Sequence, residues 1–330
     1  MVSSTLDDAL RRNAALYEHL KPVISENEWA TMVEDIDAIV RLKKERNAVI
    51  LAHNYMRPEI FHGVADVRGD SLALARKATA IQADVVVMAG VHFMAETVKL
   101  LNPSRTVLIP DPLAGCSLAD SITPEDVHAL RAQYPGVPVV TYVNTSAAVK
   151  AVSDLCCTSG NAKKIVESLN VPRVIMIPDE YLAQNTARQT KVEIVTWKGH
   201  CEVHERFTPD DIRLFREQTP GVTILAHPEC PPSVVEGADY TGSTADMMRW
   251  INEKKPEKAV LLTEGSMSDN VSIQAPQTTF IRPCELCPHM KRITLAGIRK
   301  SLETMETKVD VPEALAEPAR RAVERMIAVS

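Results

Sequence analysis

Three cysteines keep step along this chain, and so do the segments between them. Cys116, Cys201 and Cys287 stand 85 and 86 residues apart, each shortly beyond an apolar run: TVLIPDPLAGC (106–116), VEIVTWKGHC (192–201) and TTFIRPCELC (278–287). AVILAHNY (48–55), VPVVTYVN (137–144) and VTILAHPE (222–229) are apolar runs of strand length that end in polar residues. Short helical patterns follow (PEIFHGVA, SAAVKAVS, PPSVVEGA), then ADVRGDS, SDLCCTS and ADYTGST. Next come the buried-strand runs DVVVMAG (84–90), RVIMIPD (173–179) and KAVLLTE (258–264), and the cysteine-bearing strand closes each unit. The first runs start 89 and 85 residues apart, the third 89 and 85, the fourth 86 and 86. This period exceeds that of the familiar solenoid repeats, so each unit can hold its own small core.

Strand and helix alternate, and the strand runs are continuously apolar. That pattern belongs to parallel sheets covered on both faces and joined by right-handed crossovers. Ligands in such sheets bind beyond the carboxyl ends of the strands. There the three units place His53 and Tyr55, Tyr142 and Asn144, and His227 and Glu229. A hydroxyl follows in each: Ser71, Ser159 and Thr244. GDS and STAD read as helix starts, where Ser and Thr cap and free N–H groups hold anions. Three sheets facing one axis enclose one cavity with their strand ends.

The expected architecture is α/β: three pseudo-equivalent αβα domains with four-stranded parallel sheets around a central cavity. The boundaries read as 1–136 (helical N-terminal arm plus first repeat), 137–221 (second repeat), 222–290 (third repeat) and 291–330 (C-terminal helical segment packing back on the domains). Pro312 and Pro318 interrupt that last segment. At 330 residues, with 45% hydrophobic and 24% charged residues, the composition is that of a globular protein. A net charge of −6 gives no support for nucleic acid or membrane as partners. MVSSTLDDALRRN lacks the apolar core of a signal peptide, and the stretch around 84–95 is too short to span a bilayer. Seven cysteines without a disulfide-framework spacing fit a reducing cytoplasm.

Three thiolates in register leave a metal centre one protein ligand short, and an open position is where chemistry occurs. Cys284 and Cys287 also form a lone CxxC, a motif shared by zinc, iron–sulphur and redox sites. Cys156, Cys157 and Cys230 read as small buried hydrophobes. His200 and His204 read as structural, because a soft thiolate site prefers cysteine to imidazole. Glu229 in a closed cavity is a general acid/base whose pKa burial raises. His53, Tyr55 and His227 stand where they can bind a carboxylate or move a proton.

The segments LAHNY, GDSLALA, MAETVKLLNP, AGCSLAD, TYVNTSAAVK, CTSGNA, GHCEVHERF, HPEC, GST and CPHMK resemble those of the quinolinate synthases of bacterial de novo NAD synthesis, from about residue 48 to about 300. The resemblance implies three pseudo-equivalent domains around a cavity with one 4Fe–4S cluster, bound by Cys116, Cys201 and Cys287. It implies substrate contacts at His53, Tyr55, Ser71, Tyr142, Asn144, Ser159, His227, Glu229 and Thr244, with Glu229, Tyr55 and His227 moving protons. It implies condensation of iminoaspartate (iminosuccinate) with dihydroxyacetone phosphate to quinolinate, phosphate and water. L-aspartate oxidase or aspartate dehydrogenase would supply the iminoaspartate. Ile281 stands where some members have the first cysteine of CxxCxxC, so one partner of the redox role proposed for extra cysteines there is missing, while Cys284 remains available. An aconitase-type hydro-lyase and a non-enzymatic iron–sulphur redox sensor are the other readings.

Overall fold

Three parallel sheets of four strands repeat one strand order. The computed structural model describes residues 5–329, so the ends of the expected terminal segments, residues 1–4 and 330, lie outside the described residues. The first sheet holds β1 (Ala48–His53), β2 (Val67–Gly69), β3 (Val85–Ala89) and β4 (Thr106–Leu108). The second holds β5 (Val139–Tyr142), β6 (Leu155–Cys157), β7 (Arg173–Ile177) and β8 (Glu193–Thr196). The third holds β9 (Thr223–Ala226), β10 (Tyr240–Thr241), β11 (Lys258–Leu262) and β12 (Thr279–Ile281). The orders are β2-β1-β3-β4, β6-β5-β7-β8 and β10-β9-β11-β12, with every pairing parallel. In each sheet the order reverses between the first and third strands, where α/β sheets bind ligands.

One device pins each sheet in the same way. An aspartate ahead of the second strand accepts the first strand's N–H: Asp66 from Ile50 at 2.8 Å, Asp154 from Val139 at 2.7 Å and Asp239 from Ile224 at 2.8 Å. A cation meets each carboxylate: Lys43 at 2.6 Å, Arg131 at 2.8 Å and Arg216 at 3.0 Å. The central strands are buried on both faces. All five residues of β3 are buried, which is why these runs lack alternation. A fully buried Val or Met of this kind contributes roughly 1.5–3 kcal/mol of burial.

Cys116, Cys201 and Cys287 are not on strands. β4, β8 and β12 end at Leu108, Thr196 and Ile281, and each cysteine lies on the loop beyond, ahead of a short helical turn. The first loop contains Pro110 and Pro112 and the third Pro283, none of which can donate to a ladder.

The flanks are helical. Ser25 and Glu28 cap the helix Glu26–Glu45 reciprocally, and it buries Trp29, Val33, Ile36, Ile39 and Leu42 along one face. That helix packs on Leu295–Thr304 and on β1, with Arg299 paired to Asp35 at 3.0 Å. The helix Glu313–Val329 lies against the helices Ala147–Ala151 and His92–Leu101 and against β6, spanning the first two units. Pro312 precedes it, but Pro318 does not interrupt it. One proline removes a single intrahelical bond, and the buried face of Ala319, Ala322, Val323 and Met326 holds the helix together. Among the described residues, no helix is long and apolar enough to cross a membrane.

Candidate active site

All twelve residues singled out from sequence line one cavity: His53, Tyr55, Ser71, Cys116, Tyr142, Asn144, Ser159, Cys201, His227, Glu229, Thr244 and Cys287. Each unit contributes the end of its first strand. Strands β1 and β5 end on His53 and Tyr142, and β9 ends one residue before His227. Tyr55, Asn144 and Glu229 each lie two residues further on. In two units the histidine turns back on its own chain. His53 Nδ1 accepts from the Tyr55 N–H at 3.2 Å, and the Glu229 N–H lies 3.3 Å from His227 Nδ1. A His53 that accepts at Nδ1 carries its proton on Nε2. Burial pushes its pKa down to about 3, with His227 adding to the effect, so it is a neutral donor.

The hydroxyls are not the caps that sequence suggests. Asp70 caps the helix Ser71–Ala78, accepting from the Ala73 N–H at 2.8 Å. Ser243 caps Thr244–Lys254 in a capping box with Asp246. Ser71 and Thr244 are therefore first helical residues, beside N–H groups with no intrahelical acceptor. Thr244 Oγ1 accepts from Asn54 Nδ2 of the first unit at 2.8 Å. Ser159 stands in the turn before Ala162–Ser168, a helix that begins after Asn161.

The cysteine loops share one geometry. Cys116 sulphur accepts from the backbone N–H groups of Leu118 and Ala119, Cys201 from those of Val203 and His204, and Cys287 from those of His289 and Met290. Each sulphur thus acts on the two amides lying second and third beyond it. Burial pushes the Cys116 thiol up to about 12 and Cys287 to about 11, and raises Cys201 as well. Cys156, Cys157 and Cys230 are buried away from the cavity, and Cys284 is exposed.

His204 is the residue that sequence reasoning misplaces. It is 1% exposed and lines the cavity. Its Nδ1 lies 2.7 Å from Glu229 Oε2 and 3.1 Å from Cys201 Sγ, while Nε2 lies 2.9 Å from Thr263 Oγ1. The ring stacks on His227 with centroids 4.6 Å apart. Tyr55 hydroxyl bonds Thr263 at 2.6 Å, and Asn144 Nδ2 reaches Glu229 Oε1 at 3.5 Å. Burial alone would raise the Glu229 pKa, as expected from sequence. The His204 and His227 imidazoles outweigh it and hold the carboxyl below the usual range. Glu229 is an anion held between two imidazoles, already free of its proton but a weaker base than an ordinary carboxylate. A cysteine sulphur, an imidazole nitrogen and a carboxylate oxygen of Cys201, His204 and Glu229 lie within 4.8 Å of one another, a group able to hold a metal ion.

The family model of the quinolinate synthetase A protein matches residues 37–328. The chain belongs to that family. A quinolinate synthase of Agrobacterium fabrum is 66% identical over 316 residues, covering 96% of this chain and 92% of its own length. Quinolinate synthase 2 of Mesorhizobium japonicum is 68% identical over 316 residues, with 96% and 98% covered. A quinolinate synthase of Xylella fastidiosa (strain 9a5c) is 67% identical over 295 residues, with 89% and 87% covered. Membership makes this an enzyme family of NAD biosynthesis and weighs against the hydro-lyase and sensor readings.

Proposed function

We propose that the chain is a transferase that condenses iminoaspartate with dihydroxyacetone phosphate to give quinolinate, phosphate and water. The cavity lies among domains 1–136, 137–221 and 222–290, with 291–330 packed against them, and holds one 4Fe–4S cluster on Cys116, Cys201 and Cys287. The carrying observation is that three cysteines, one per unit, open into the same cavity as three sets of strand-end groups.

The donor set fits such a group. Buried thiols with raised pKa values persist as thiolates only beside a compensating cation. Three soft thiolates, one from each unit, are the donor type that iron–sulphur centres take. When bound, the cluster supplies a Lewis-acid iron that has no cysteine ligand.

The chain's own groups do the rest. Amides at the helix starts by Ser71 and Thr244 hold the anionic carboxylate and phosphate groups. The hydroxyls of Ser71, Ser159 and Tyr142 and the amide of Asn144 orient them. Glu229 takes a proton as carbonyl and amine condense, and His227 and Tyr55 return protons at later steps. Neutral His53 donates from Nε2 without adding charge. The enclosed cavity shields the imine from hydrolysis.

This reading includes a cytoplasmic enzyme supplied with iminoaspartate by L-aspartate oxidase or aspartate dehydrogenase, with neither nucleic acid nor membrane as partner. An anaerobic assay for quinolinate from iminoaspartate and dihydroxyacetone phosphate tests the reading, and no product from iron-loaded protein would sink it. A second reading rests on the Cys201–His204–Glu229 group, which could take a single divalent ion. Zinc rather than about four irons and four sulphides per chain in freshly isolated anaerobic protein would favour it.

A further inference from the structure

In all three units, one donor grips the two carbonyls on either side of the residue that faces the cavity two places beyond the strand-end site. Asn270 Nδ2 donates to Asn54 O at 2.9 Å and Met56 O at 2.8 Å, on either side of Tyr55. Asn185 Nδ2 donates to Pro228 O at 2.8 Å and Cys230 O at 2.9 Å, on either side of Glu229. Lys150 Nζ donates to Val143 O at 2.8 Å and to Thr145 O, on either side of Asn144. The first carbonyl belongs to the peptide that enters the gripped residue and the second to the peptide that leaves its successor, so bridging them restricts φ and ψ of those two residues together, and with them the direction of the Cα–Cβ bond that faces the cavity.

The grips follow the pseudo-symmetry. Asn185 and Asn270 each lie eight residues beyond the end of the third strand of their unit, β7 and β11. Each reaches across a boundary: the second unit holds the third unit's turn, and the third holds the first's. The same count from β3 falls on Thr97, whose hydroxyl instead bonds Phe93 O at 2.9 Å. Lys150, on the helix that follows the second unit's turn, supplies the missing donor.

These are demanding placements. Asn185 and Asn270 are 2% and 1% exposed, and neither Oδ1 has a hydrogen-bond partner among the described residues. Lys150 is fully buried, its ammonium 5.4 Å from the Phe93 ring centroid, with no carboxylate paired to it among the described residues. Buried polar atoms left unmatched are uncommon in native folds and call for an explanation.

We propose that Asn185, Asn270 and Lys150 are positioning residues that aim Glu229, Tyr55 and Asn144 into the cavity. Their effect on turnover rests on the reaction proposed above; the grip itself does not.

The test uses full-length, iron-loaded protein. Asn185→Leu keeps the bulk and removes the donor, and should lower kcat roughly ten- to a hundredfold with iron content unchanged. In a Glu229→Gln background the same change should cost less than about twofold, because the residue it aims has already lost its function. Equal proportional losses in both backgrounds would overturn the positioning role. If the leucine variant does not fold, Asn185→Ala carries the same comparison. Amide hydrogen exchange gives a readout independent of activity. Asn185→Ala should speed exchange around 227–231 and leave 53–57 unchanged, and Asn270→Ala should do the reverse. Unchanged exchange in both would refute the grip, whereas changed exchange in a protein that makes no quinolinate would refute only the reaction.

Discussion

Glu229 Oε2 lies 2.7 Å from His204 Nδ1, the nitrogen that also lies 3.1 Å from the sulphur of Cys201. One imidazole therefore joins the third unit's strand-end carboxylate to the second unit's cysteine loop. Glu229→Gln keeps the shape and removes the base. It should retain iron and substrate affinity and lose roughly 10² to 10⁴ in kcat. Iron analysis beside steady-state kinetics decides this: lost iron would mark a structural role, and near-normal turnover would move the proton transfer to His227 or Tyr55.

Replacing any one of Cys116, Cys201 or Cys287 by Ala should remove iron, sulphide and colour from anaerobically purified protein. Cys156, Cys157 and Cys230 are sealed in the cores, so Cys156→Ser, Cys157→Ser and Cys230→Ser should cost stability but keep the metal in whatever protein folds. Metal loss in this second group alone would displace the assignment.

Gly199 sets the approach of the loop to Cys201. A Cβ there would lie 2.4 Å from Pro178 O and 2.5 Å from Ser121 Oγ, closer than real Cβ atoms come. The loop is also tied by the Glu180 N–H to Gly199 O at 2.9 Å, so it cannot step aside alone. Gly199→Ala should cost roughly 1–3 kcal/mol and lower iron occupancy. Full iron with an unchanged melting midpoint would show that the loop relaxes freely.

His62 is 4% exposed, and burial, with Arg68 beside it, pushes its pKa down to about 4. The unfolded chain, at about 6.5, then binds the proton more readily than the fold does. Stability is complete above pH 6.5 and falls as the pH drops toward 4, by roughly 2 kcal/mol between 6.5 and 5 for this one group. His62→Gln should flatten that part of the acid dependence of the melting midpoint between pH 7 and 5, even though it lowers the midpoint at pH 7. Parallel wild-type and variant curves would contradict the buried neutral imidazole.

The repeat, the continuously apolar strands and the polar strand ends were legible because each is a local pattern written three times. Asp66, Asp154 and Asp239 were equally visible, in ADV, SDL and ADY, although their work of holding the first strand shows only in three dimensions. His204 was legible in one respect. It stands third after its cysteine, where the other loops have Ala119 and Met290, so it is the polar exception at an apolar place. Its value lies in Glu229 and Thr263, neither of them near it in sequence. The lowered pKa of Glu229 was hidden for the same reason: burial can be guessed from an apolar run, but two imidazoles arriving from elsewhere cannot. Ser71 and Thr244 read as caps because Asp70 and Ser243, one place earlier, satisfy the same rule.

The strand-end turns that match in backbone carry a phenol, an amide and a carboxylate at Tyr55, Asn144 and Glu229. They stand at matching places in three units whose sheets share one strand order. A small lopsided molecule in the cavity can therefore sense which way round it sits. The shared strand order does not distinguish orientations, so the choice falls to the unlike side chains of the three units, Tyr55, Asn144 and Glu229 among them.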